Sequence, residues 1–146
     1  MTARPAVALA LAAWLTGGLV FTLLPANPAP GQVVEHNFVP FRTIALWVAN
    51  PDFGFWIRQM VGNLLLLLPV GLLGPIARPW MDRWSRVVLA SAVLSLTIEV
   101  AQLWIPARAT DVDDLLLNVA GAALGCAILR VLRLGSGRHD ALLERD

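Results

Sequence analysis

Residues 57–76 read IRQMVGNLLLLLPVGLLGPI, with Arg58 as their only charge. A helix needs roughly 20 mainly apolar residues to cross the ~30 Å hydrocarbon core of a bilayer, and this stretch supplies them. Working outward, three more windows of the same kind lie at about 6–24, 87–105 and 115–134. The composition agrees: 58% of the 146 residues are hydrophobic and 14% are charged, against about a quarter charged in a soluble domain. Mean hydropathy is +0.69. The expected fold is all-α and membrane-embedded, a four-transmembrane-helix bundle over residues 1–134. A polar cytoplasmic tail, GSGRHDALLERD, follows at 135–146.

Several function classes fall away. The 11 basic side chains are all arginine and face 10 acids, for a net charge of +1, so nothing attracts nucleic acid. Cys126 is the only cysteine, and with His36 and His139 it has no usual zinc spacing. No phosphate loop, dinucleotide fingerprint or nucleophile with a positioned base is present. The residues name no cofactor. The first window reads as a span rather than a secretory leader: its apolar run exceeds the usual ~7–15 residues, and Pro25, Pro28 and Pro30 interrupt the small residues after it.

Arginine bias sets the orientation. Arg4, Arg78, Arg83, Arg86, Arg130, Arg133, Arg138 and Arg145 fall on one side, and Arg42, Arg58 and Arg108 on the other. Both termini are therefore expected in the cytoplasm, with the connections 25–56 and 106–114 outside. Trp56, Trp80, Trp84 and Trp104 lie near predicted span ends, where amphipathic rings prefer to sit. The external loop between the first two spans opens with Pro25, Pro28, Pro30 and Gly31, an extended signature. It then turns apolar at 37–47, NFVPFRTIALW. That stretch is too short to span, and reads either as a partly interfacial or re-entrant segment or as an ordinary external loop.

Polar residues inside the spans carry most information, because hydrocarbon makes them costly. Ser91, Ser95, Glu99 and Gln102 share one face of the third span, and Asp114, Asn118, Gly121 and Gly125 share one face of the fourth. Gly121 and Gly125 form a close-packing pair, with the third span as the expected partner. Glu99 and Gln102 then meet Asp114 and Asn118, and Asn63 adds a polar group at similar depth. Pro69 is expected to kink its span. Between the last two spans, Arg108-Ala-Thr-Asp-Val-Asp-Asp114 holds one arginine and three acids. Thr110 and Asp113 have the form of a capping box. Two readings stand: a packing seam, or a hydrated external pocket whose carboxylates hold a divalent cation or an amine while Arg108 meets a phosphate or carboxylate.

In order along the chain, Asn37-Phe-Val-Pro-Phe-Arg-Thr43, Asn63-Leu-Leu-Leu-Leu-Leu-Pro69 with Gly71, Glu99-Val-Ala-Gln102, Asp111-Val-Asp-Asp114 and Asn118-Val-Ala-Gly121 with Gly125 resemble the VanZ-like family. Arg108 falls where that family tends to have a basic residue. The resemblance implies a small multi-helix membrane protein of the bacterial cell envelope, of a family named after a member linked to teicoplanin resistance. Three functions follow for testing. The first is a non-enzymatic protein that alters how a glycopeptide meets its lipid-linked or cell-wall target. The second is a membrane enzyme acting on a lipid-linked or phosphorylated envelope intermediate, with Glu99 as acid or base and Asp111, Asp113 and Asp114 holding a cation. The third, weaker without inverted repeats, is a proton-coupled carrier. The lipid bilayer is a partner in each.

Overall fold

The computed structural model describes residues 3–25, 35–49 and 53–143. Pro28, Pro30, Gly31 and Arg145, and the side chains of Trp56, Arg138 and His139, lie outside the described part. The described residues form five α-helices: α1 (Ala3–Leu23), α2 (Arg42–Ala49), α3 (Phe53–Ala77), α4 (Trp84–Gln102) and α5 (Val112–Leu143), with a 3-10 turn at Pro79–Asp82. Four of them, all but α2, are long and apolar enough to cross a membrane. Among the described residues there is no strand, only an isolated parallel bridge between Asn37 and Asp111.

The bundle is built on α3, which packs against α1 on one side and α5 on the other, while α4 closes against α5. Helix α3 runs through Pro69 and Pro75 to Ala77, as helices in lipid can when neighbours satisfy the freed carbonyls. Helix α4 begins and ends earlier than the 87–105 window. Its last turn tightens, with the N–H groups of Leu103, Trp104 and Ile105 donating to carbonyls three residues back, and Pro106 follows. Helix α5 begins earlier than 115 and passes through Gly135 into the polar tail.

The α3–α5 contact departs from expectation. A Cβ on Gly121 would strike the Leu64 carbonyl, one on Gly125 the Leu68 carbonyl, and one on Gly71 the Ala122 carbonyl. The glycine face of α5 therefore meets the second span, not the third. Gly71 supplies the reason: glycines on both helices let the backbones approach closely. Leu67, Val70, Met81, Val87, Ala122 and Cys126 fill the core beneath.

Helix α4 is apolar outside and polar inside. Leu89, Val93 and Leu96 are exposed, whereas Ser91, Ser95, Glu99 and Gln102 are buried. In water that arrangement would leave a large apolar patch exposed; in hydrocarbon it is the favourable one, since the polar groups are kept inside the bundle and away from the acyl chains.

Candidate functional site

The Glu99 end of the bundle is closed by a hydrogen-bonded cap. Asp111 precedes α5, and its Oδ1 accepts from the Asp113 N–H at 2.9 Å, satisfying one of the free amides at that helix start. The same oxygen accepts from Asn37 Nδ2 at 2.8 Å. The Thr110 capping box therefore does not form: its hydroxyl donates to the Glu99 carbonyl at 3.0 Å, and aspartate, an equally good cap, takes the position one residue later. Backbone bonds from Asn37 N to Thr110 O (2.9 Å) and from Val112 N to Asn37 O (3.0 Å) lace the segment ahead of α2 onto the start of α5.

Asp113 serves a different helix from its own. Its Oδ1 accepts from the Phe41 N–H at 2.5 Å, and its Oδ2 accepts from Thr43 N at 2.8 Å and Ile44 N at 3.1 Å. These are amides at the start of α2, where partial positive charge favours a carboxylate. The carboxylate is fully buried. It also holds Phe41 at φ 65, a left-handed conformation that costs about 1–2 kcal/mol for a residue with a Cβ. The 37–47 stretch is thus a capped turn leading into a short helix, with Trp47 buried and Phe38, Phe41 and Leu46 exposed.

Beneath the cap lies a cavity of about 160 Å³, lined by Asn63, Glu99, Gln102, Arg108, Asp114 and Asn118 together with apolar side chains including Phe21, Trp47 and Leu66. Each polar group is partly engaged. Glu99 Oε2 accepts from the Asp111 N–H at 2.8 Å, and Asn63 Nδ2 donates to Asp114 Oδ1. Asn118 Nδ2 donates to Ser95 Oγ at 2.9 Å, and Gln102 Nε2 to the Thr22 carbonyl at 3.1 Å. Arg108 reaches the end of α1, donating from Nε to Leu24 O at 2.8 Å and from a terminal nitrogen to Phe21 O at 2.7 Å. A cation there complements the negative end of the helix dipole. The oxygens Gln102 Oε1 and Asn118 Oδ1 are buried without a hydrogen-bond partner.

The structure brings six of the eight candidate polar residues onto one cavity and assigns Asp111 and Asp113 to the cap. Among the described residues no three His, Cys, Asp or Glu side chains are grouped so as to hold a metal ion, and the Asp113 oxygens are already bonded to backbone. The three acids of 111–114 diverge. Asn37 is the residue that spacing alone did not single out: Thr43 Oγ1 at 3.0 Å and the Val39 N–H at 3.0 Å complete its bonds. Its one sequence signal was its place at the head of the ordered motifs. Asp114 accepts from Asn63 on α3 and lines the cavity together with Glu99 and Gln102 of the third span.

Long apolar helices with polar side chains turned inward define a multi-pass α-helical protein associated with the lipid bilayer. The sequence profile of the VanZ/LLP1 family matches residues 7–133, and the chain belongs to that family. No curated protein and no solved structure matches it.

Proposed function

We propose that the protein spans the bacterial cytoplasmic membrane with both termini inside, residues 135–146 forming a cytoplasmic tail. In this reading the cavity faces the outside, binds a small polar group of the cell envelope, and thereby lowers susceptibility to glycopeptide antibiotics such as teicoplanin. The observation that carries it is the convergence of Asn63, Glu99, Gln102, Arg108, Asp114 and Asn118 on one cavity. Family membership and the arginine asymmetry support the setting.

Size refines the reading. At about 160 Å³ the cavity is below the ~300–1,000 Å³ of a pocket for a drug-sized ligand, so a glycopeptide does not enter it. Any effect on susceptibility runs through a smaller group, on a lipid or a lipid-linked precursor. Expression in a glycopeptide-sensitive host is expected to raise the inhibitory concentration of teicoplanin, and Glu99→Gln to abolish the rise at equal membrane abundance. Unchanged susceptibility with the unaltered chain overturns the reading.

A membrane enzyme acting on an envelope intermediate is the second reading, favoured by two carboxylates, Glu99 and Asp114, on one cavity. Acid–base work needs such a pair. Turnover of a lipid-linked or phosphorylated substrate by purified protein, lost in Glu99→Gln, is the result that would establish it.

A further inference from the structure

The cavity is rich in acceptors. Gln102 and Asn118 are 7% and 2% exposed, and each leaves a buried oxygen without a donor. For Gln102 the assignment follows from chemistry: its other amide atom meets the Thr22 carbonyl, which only accepts, so the leftover atom is an oxygen. The carboxyl groups of Glu99 and Asp114 line the same space. What such a site lacks is a compact donor, and a primary ammonium offers three N–H groups and no acceptor.

Two further features say what the ammonium is attached to. Arg108 spends Nε and one terminal nitrogen on α1, and its fork carries five N–H donors in all. It is thus placed to take a phosphate oxygen beside the ammonium. Next to the cavity an apolar groove of about 480 Å³ runs between α1 and α3, lined by Trp14, Gly17, Gly18, Gly62 and Leu65 among others. It shares Phe21 and Leu66 with the cavity. A Cβ at Gly17 or Gly62 would meet nothing within 4 Å, so these glycines leave the groove open. A groove on the hydrocarbon-facing side of a membrane protein is filled by an acyl chain, the solvent of that region.

We propose that the protein binds a phospholipid with a primary-amine headgroup: the ammonium sits among Glu99, Gln102, Asp114 and Asn118, the phosphate meets Arg108, and one acyl chain lies in the α1–α3 groove. This rests on the cavity being a binding site for a small envelope group, as proposed above. The volume matches: a cavity of ~150 Å³ accepts a six-carbon ring, enough for an ethanolamine headgroup. A choline headgroup has no N–H to give the orphan oxygens.

The test is lipid retention by the full-length purified chain, read by native mass spectrometry after exposure to vesicles of phosphatidylethanolamine, phosphatidylcholine or phosphatidylglycerol. Retention of phosphatidylethanolamine is expected to exceed that of the other two by about tenfold, or ~1.4 kcal/mol. Gln102→Leu removes the preference while a lipid is still held. Gly17→Leu, at a position where an added Cβ meets nothing within 4 Å, weakens retention of all three lipids. Circular dichroism verifies that both variants are folded. Equal retention of the three lipids, or a preference for phosphatidylglycerol, overturns the proposal. So does free ethanolamine displacing the lipid at comparable concentration, since the acyl groove would then contribute nothing. A chain that raises teicoplanin tolerance yet shows no lipid preference defeats this inference alone. One that selects phosphatidylethanolamine without altering tolerance defeats the resistance reading alone.

Discussion

Asp113, in the first turn of α5, accepts the Thr43 amide at 2.8 Å and so caps a helix 70 positions earlier in the chain. With Phe41 and Ile44 it satisfies three backbone donors. Asp113→Ala leaves three part-buried amides unpaired, and the expected loss is about 1–3 kcal/mol. Thermal unfolding in detergent measures it. Asp113→Asn, which keeps one acceptor oxygen, is expected to recover part of the loss; a neutral Asp113→Ala would show that the cap carries no stability.

Glu99 offers a cleaner separation of structure from binding. Its Oε2 takes the Asp111 N–H, and a glutamine carbonyl can do the same. Glu99→Gln is therefore expected to stay close to the parent in stability. Glu99→Leu strands the Asp111 amide and costs about 1–3 kcal/mol. Indistinguishable melting of the leucine variant and the parent would remove Glu99 from the cap.

At Gly121 the α5 backbone lies against the Leu64 carbonyl, and neither can yield without moving a helix. Gly121→Ala is expected to lower stability by about 1–3 kcal/mol through overpacking. Gly62→Ala, with open space at its Cβ, serves as the control. A destabilising Gly62→Ala beside a silent Gly121→Ala would reverse the assignment of the seam.

Asp82 meets Arg133 at 2.6 Å on the surface. That hydrogen bond and the nearby positive charge hold the Asp82 carboxyl below its ordinary range. A lowered folded-state pKa adds stability above the unfolded value of about 3.9 and loses it as pH falls through the folded value. Exposure makes the contribution small. Asp82→Asn is expected to melt like the parent at pH 7 in high salt, and to differ from it only in low salt above about pH 4.

The sequence made the spans and the polar face of α4 legible because both are periodic. Ser91, Ser95, Glu99 and Gln102 recur at helical spacing in an otherwise apolar run, and all four are buried. The cap was not legible in the same way. Asn37 and Asp111 are 74 residues apart, and no local pattern states that an acid in one helix's first turn serves another helix. The glycine pair announced a close contact but not its partner, which depended on Gly71 presenting a matching surface on α3. Likewise Arg108, read as an anion site, spends two donors on the end of α1.

The lacing of Asn37 to Thr110, Asp111 and Val112 fixes an order of events during biosynthesis. The loop and α2 leave the ribosome long before the residues that hold them. Until the last transmembrane segment is delivered, the amides ahead of α2 have no carboxylate and the chamber has no roof. Assembly of the cavity is therefore a closing step, and a nascent chain that lacks α5 has none.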